Sequence, residues 1–204
     1  MGNKNSGLKK YDIPFNLKEE ESMYWLGYIC ADGCITNNTK TRQYRLSLVS
    51  IDEDIIEKFK KFLGDRAIYR RRKQRNISEI YLNSKQLVQY LEKLNITSKK
   101  SLTLNPNIEF NRHFLRGFFD GDGSITKNKK ECKFTTGSKH MKDKICTYLN
   151  DINIYYKVRK YKNAYYICIE RKKECLKFLD HIYINSTVFM ERKYKQCVAL
   201  LSNQ

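Results

Sequence analysis

Long apolar runs are missing from this chain: no stretch approaches the roughly 18 residues that a bilayer-spanning helix requires. A membrane-embedded protein is therefore not expected. Met1 to Lys10 is polar and basic, without the apolar core of a signal peptide, and reads as a short basic tail. Proline and glycine are scarce, 2 and 9 in 204 residues, while hydrophobic residues make up 41% and aromatics 13%. That balance excludes collagen-like and low-complexity disordered classes. It leaves a globular chain, long enough for one large domain or two small halves around a shared core. The cysteines, at 30, 34, 132, 146, 168, 175 and 197, number seven and form no CxxC pair; His113, His140 and His181 are scattered. Zinc-ligand spacing is absent. Thiols in odd number, set mostly in apolar stretches, read as reduced, buried hydrophobes of a soluble intracellular protein, in cytoplasm or an organelle matrix.

Acidic charge is the other deficit. Lys plus Arg outnumber Asp plus Glu by 40 to 22, a formal charge of +18. Such an excess repels itself in a compact state and is usually retained for a polyanionic partner, here nucleic acid.

What the chain does contain is a repeat. Ala31-Asp32-Gly33-Cys34-Ile35-Thr36-Asn37-Asn38 resembles Gly121-Asp122-Gly123-Ser124-Ile125-Thr126-Lys127-Asn128 at one fixed offset. Each copy ends an apolar helical run, Met23 to Ala31 or His113 to Gly121, and precedes an alternating strand, Gln43 to Val49 or Glu131 to Thr136. An amphipathic helix follows, carrying Ile55, Ile56, Phe59, Phe62 and Leu63 in one copy and Ile145, Leu149 and Ile152 in the other. Two further strands come next, about Ala67 to Gln74 and Glu79 to Asn83, matched by Ile154 to Tyr161 and Ala164 to Glu170. A helix closes each half, with Leu87, Leu91 and Leu94 against Cys175, Leu179 and Ile182. The fold class is α+β: two pseudo-twofold αββαββα repeats, each with an antiparallel four-stranded sheet. The boundaries are a tail at 1–10, a first repeat at 11–98, a linker at 99–106 and a second repeat at 107–204.

Gly27 and Ala31 lie four residues apart, as do Gly117 and Gly121, so each pair stacks on one helix face. Small residues there let two helix backbones meet, the lesser alternative being that each glycine relieves crowding against its own sheet. Asn16 or Ser22 is the expected cap of the first helix, with Glu19, Glu20 and Glu21 at its positive end. Asp32 and Asp122 sit at the negative ends, where a carboxylate is disfavoured by about 0.3–1 kcal/mol. An Asp-Gly pair alone is also an ordinary turn into a strand. Two acids in equivalent unfavourable places make sense if divalent cations, Mg²⁺ or Mn²⁺, bridge them and act on a phosphodiester.

Trp25-Leu26-Gly27-Tyr28-Ile29-Cys30-Ala31-Asp32-Gly33 and Leu115-Arg116-Gly117-Phe118-Phe119-Asp120-Gly121-Asp122-Gly123 resemble the two motifs of a LAGLIDADG homing endonuclease of the single-chain type. The resemblance covers roughly Tyr11 to Leu200. It implies a monomer that packs its motif helices into a saddle, binds a long double-stranded DNA site and hydrolyses one phosphodiester on each strand. It also implies short 3′ overhangs and mobility of a host intron or reading frame. By the same resemblance Asp32 and Asp122 hold metal, with the carbonyls of Ala31 and Gly121 as further ligands. Cys30 departs from the pattern where Asp120 keeps an acid, at a position not usually a ligand. Lys100 and Lys193, each after the last helix of its half, resemble the family's active-site basic residues and stabilise phosphate charge or only position it.

The alternating strands predict one packed and one wet, basic face. Tyr44, Leu46 and Leu48 oppose Gln43, Arg45 and Ser47; Cys132, Phe134 and Thr136 oppose Glu131, Lys133 and Thr135. Arg42, Arg70, Arg72, Gln74, Lys127, Lys157, Arg159 and Lys160 complete the candidate DNA contacts, of which Arg and Gln suit base edges and Lys suits phosphates. Strand alternation lets only half of the Arg70 to Arg75 run face DNA. Two alternatives stay open: a DNA-binding regulator without cleavage, and a maturase whose partner is the host intron RNA. The chain starts at Met1 and ends Ser202-Asn203-Gln204 without flanking splicing blocks, so an intein-embedded form is not expected.

Overall fold

A computed structural model describes residues 13–72, 76–98, 101–126, 128 and 131–202. The first half runs α1 (Glu20–Ala31), β1 (Cys34–Asn38), β2 (Gln43–Ser50), α2 (Glu53–Leu63), β3 (Ile68–Arg72), β4 (Ile77–Asn83) and α3 (Lys85–Lys93). The second repeats the order with α4 (Arg112–Asp122), β5 (Gly123–Thr126), β6 (Glu131–Thr136), α5 (Lys139–Asp151), β7 (Lys157–Tyr161), β8 (Ala164–Ile169) and α6 (Lys172–Tyr183). An additional helix follows, α7 (Glu191–Leu201), so Lys193 lies inside the last helix rather than after it. Its stripe is thin, with Cys197 and Leu200 as the buried apolar residues, which is too little periodicity to register in sequence.

Each half folds an antiparallel four-stranded sheet, ordered β1-β2-β4-β3 and β5-β6-β8-β7. Alternation sets the faces as expected: Leu46 and Leu48 are buried, as are Cys132, Phe134 and Thr136. Helices cover those faces. Trp25 of α1 packs on Phe59 of α2, and Phe119, Phe134 and Phe178 form an edge-to-face aromatic cluster in the second half. β7 begins three residues later than the strand expected from Ile154, because Asn153 takes a left-handed conformation (φ 54°) at the end of α5.

Caps hold α3, α4 and α5: Ser84 accepts from the Leu87 N–H, Asn111 from the His113 and Phe114 N–H groups, and Ser138 from the Met141 N–H. For α1 the expected cap is corrected. Glu19 occupies the cap position without a side-chain bond, and Ser22 is buried inside the helix. The Ser22 hydroxyl accepts from the Asn16 N–H and donates to the Pro14 carbonyl; it ties the incoming chain, not the helix end.

The two halves join through α1 and α4. A Cβ on Gly27 would run into the carbonyl oxygen of Phe114, and one on Gly117 into that of Tyr24. The glycines are thus interhelical contacts, and crowding against their own sheets is not their reason. Five cysteines are buried, whereas Cys34 is exposed and Cys146 half-buried. Among the described residues no helix is long and apolar enough to cross a membrane.

Candidate active site and nucleic-acid interface

Asp32 is the C-cap residue of α1, its N–H bonded to the Tyr28 carbonyl at 2.9 Å; Asp122 is the last residue of α4. Both are exposed. The reciprocal glycine contacts bring these two ends together. A Cβ on Gly121 would overlap that of Ala31 and lie 3.5 Å from Cγ and Oδ2 of Asp32. Asp32 and Ala31 of one repeat therefore face Gly121 and Asp122 of the other. Both carboxylates stand at the negative ends of their helices, so cation binding relieves the repulsion there.

Among the described residues there is no cluster of three or more histidine, cysteine, aspartate or glutamate side chains suited to a metal. The donors that the two helix ends carry are oxygens: the carboxylates of Asp32 and Asp122 and the backbone carbonyls of Ala31 and Gly121. That set fits a hard divalent cation whose remaining positions go to water and phosphate oxygens.

Lys193 stands beside this junction, on the first turn of α7. It is 4% exposed, and its Nζ donates to the carbonyls of Phe119 (2.6 Å), Asp120 (2.7 Å) and Gly123 (2.6 Å). The ammonium thus caps the end of α4, joining the Gly123 N–H on the Phe119 carbonyl. Burial lowers its pKa to about 8, opposed by Asp120 and, farther out, by Asp32 and Asp122, with Arg192 adding to the lowering. Lys100 lies outside the described residues.

Asp120 does not share the exposed junction. Its carboxylate is completely buried, accepting from the Tyr24 hydroxyl (2.8 Å), the Tyr183 hydroxyl (2.5 Å) and the Met190 N–H (2.8 Å). Burial pushes its pKa up, opposed chiefly by the Tyr183 hydrogen bond and the Lys193 ammonium. The role of Asp120 is not legible in the sequence, because its three donors come from three distant elements.

The wet faces of the sheets carry most of the expected contacts. Register puts Gln43, Arg45 and Ser47 of β2 on one face with Tyr81 and Asn83 of β4. Arg70 shares that face, while Arg71 pairs with Ser78 on the other. Arg45 and Arg70 flank the Tyr81 ring at 4.1 and 4.9 Å, and the Arg45 Nε donates to Asn83 Oδ1 at 2.9 Å. Ser47 is 8% exposed, covered beneath this layer. Arg42 lies at the β1–β2 turn (φ 53°), lining a cavity with Gln43, Arg45, Asn83 and Lys85.

In the second sheet Lys133, Thr135, Lys157 and Arg159 share the wet face, with Lys133 over the Tyr166 ring at 5.5 Å. Glu170 forms ion pairs with Arg159 and, at 3.4 Å, with Lys157. Lys160 is separated from them. It pairs with Tyr165 on the helix-covered side, where Lys160 and Lys142 approach the Tyr165 ring at 5.3 and 5.8 Å. A strand's two-residue period dictates this split, so adjacent Arg159 and Lys160 cannot serve one surface. Gln74, Lys127 and the side chain of Arg72 lie outside the described residues. Tyr81, Tyr166, Asn83 and Glu170 were missed; tyrosine recurring in register with the basic positions was the available signal.

Similarities to known proteins agree with this geometry. The LAGLIDADG-like domain family matches residues 19–103 and 109–183. The chain is 28% identical over 200 residues to a replication factor C small subunit of Methanocaldococcus jannaschii, covering 91% of this chain but only 10% of that relative's length. I-DmoI in complex with DNA and Mn superposes with a TM-score of 0.61 at 20% identity, over 85% of this chain and all of that one. The LAGLIDADG meganuclease I-AabMI bound to uncleaved DNA gives 0.63 at 14% identity, over 89% of this chain and 90% of that one. Two matched segments, one on each motif helix and its sheet, mean that the chain belongs to the LAGLIDADG-like domain family.

Proposed function

We propose that the chain is a site-specific homing endonuclease. It acts as a monomer, binds a long double-stranded DNA target and hydrolyses one phosphodiester on each strand, promoting mobility of its host intron or reading frame. The observation that supports this reading is the meeting of α1 and α4 at their motif ends, where Gly121, next to Asp122, lies against Ala31 and Asp32, together with the basic wet faces of the two sheets. Asp32, Asp122 and the carbonyls of Ala31 and Gly121 hold Mg²⁺ or Mn²⁺. A cation held by these groups would supply Lewis-acid activation of water and charge neutralisation at the leaving oxygen. Arg45, Arg70, Lys133, Lys157 and Arg159 hold the duplex across the junction, through phosphates and base edges. Lys193 keeps a positive charge at the end of α4, and Lys100 is its counterpart in the first half.

The test is cleavage selection from a randomised DNA library in Mg²⁺. Double-strand breaks are expected at one preferred site, abolished by chelation and reduced by at least about 10³-fold in Asp32→Asn or Asp122→Asn. Tight binding without cleavage in any divalent metal would instead support the regulator.

One observation favours a second activity. The Lys142–Tyr165–Lys160 group lies off the wet face and combines an aromatic ring with two ammonium groups, which suits single-stranded nucleic acid. An intron maturase would lose RNA affinity in Lys142→Glu/Lys160→Glu and keep DNA cleavage.

A further inference from the structure

We infer that Asp120 is a positioning residue for Lys193: its buried carboxylate pins the start of α7 so that the lysine ammonium is held at the end of α4. This rests on the endonuclease reading for its effect on cleavage, but not for its geometry. The three donors to Asp120 come from α1 (Tyr24), the end of α6 (Tyr183) and the residue that caps α7 (Met190). Met190 and Lys193 are three residues apart, so fixing the Met190 N–H fixes the turn that carries Lys193. The loop is closed from the other side, because Lys193 bonds the Asp120 backbone carbonyl at 2.7 Å.

The first repeat shows that the motif turn does not itself require the acid. Cys30 occupies the equivalent place, and α1 still ends in the same turn with Asp32 at its cap. Among the described residues between α3 and α4 no helix corresponds to α7. The carboxylate is present where a helix start has to be held.

The first measurement is acetylation of Lys193 by acetic anhydride, read by peptide mass spectrometry in the intact chain. Lys193 should be among the slowest lysines in the wild type and about tenfold faster in Asp120→Ala, with exposed Lys139 unchanged; this scale follows from loss of one well-fixed geometry. Asp120→Asn keeps an acceptor for Tyr24 and Met190 and should stay within about threefold of wild type. Should Asp120→Ala not fold, Asp120→Leu/Tyr24→Phe/Tyr183→Phe removes the acid together with both hydroxyl donors, so that of the three donors the Met190 N–H alone loses its acceptor. The same tenfold rise is expected there.

The second measurement is single-turnover cleavage at saturating enzyme. Asp120→Ala should slow it about 10–100-fold with DNA affinity within threefold, yet add less than about twofold when Lys193 is already alanine. Unchanged acetylation, or additive effects on cleavage, overturns the inference. A wild type that cuts no DNA sinks the endonuclease reading alone, since acetylation still decides the placement of Lys193.

Discussion

The two repeats share a backbone plan and differ in what they bury. At one position the first repeat has Leu26 and the second Arg116; at another the first has Cys30 and the second Asp120. Arg116 is completely buried, donating to the carbonyls of Val188 (2.9 Å) and Ile182 (2.8 Å) and to Glu20 at 2.7 Å. Glu20 in turn accepts from the Thr187 N–H at 2.8 Å. Despite partial burial, that bond together with Arg116 and His113 holds the Glu20 carboxyl below its ordinary range. Buried Arg116 and Asp120 and half-buried Glu20 all contact the segment that runs from the end of α6 to the start of α7. Bringing that irregular segment against the helices removes its backbone groups from water, and each needs an interior partner. On α4 the ionised residues Arg116 and Asp120 stand where a further segment docks, at positions that the first repeat fills with Leu26 and Cys30.

Disturbing the shared plan should have the largest effect and be indifferent to repeat. Gly27→Ala and Gly117→Ala each push a methyl into the opposite helix backbone, and a loss of at least about 3 kcal/mol is expected for both. Denaturant unfolding measures it; one substitution tolerated alone would break the symmetry of the interface. The unshared part should respond unequally. Asp120→Ala leaves three buried donors without their acceptor and should cost about 3 kcal/mol, against about 1 kcal/mol for Cys30→Ala. Equal losses in thermal melts would contradict the division drawn above.

Smaller effects sharpen the comparison at the wet faces. Glu170 occupies Arg159 and Lys157 in the second repeat, whereas neutral Asn83 orients Arg45 in the first. Glu170→Gln should tighten non-specific DNA binding about threefold, and Asn83→Asp should weaken it similarly, with both differences shrinking as salt is raised. Fluorescence anisotropy across a salt series reads both; identical signs would mean the faces are not used alike. The smallest effect belongs to Lys160→Ala, expected to change duplex affinity by less than about twofold where Arg159→Ala loses about fivefold. A Lys160 effect as large as that of Arg159 would place DNA on the opposite side of the sheet.

Much of this architecture was legible in the sequence because it depends on periodicity. Alternation in Gln43 to Val49 and Glu131 to Thr136 states which residues are buried, and the repeated Asp-Gly turn locates Asp32 and Asp122 at matching helix ends. The Gly27–Ala31 and Gly117–Gly121 spacing marked an interface without saying against what. The carbonyls of Phe114 and Tyr24 supply that answer, and they lie roughly ninety residues away in the chain. Local spacing therefore determined the repeated elements, their faces and the matching positions of Asp32 and Asp122 at two helix ends. Tertiary structure alone decided that Lys193 lies within a seventh helix, that Asp120 is held by Tyr24, Tyr183 and Met190, and that Lys160 turns from Arg159's surface. The first rests on a helix whose apolar stripe is too thin to register and the second on contacts between residues far apart in sequence; for the third, strand period separates Lys160 from Arg159 and register decides which face each takes.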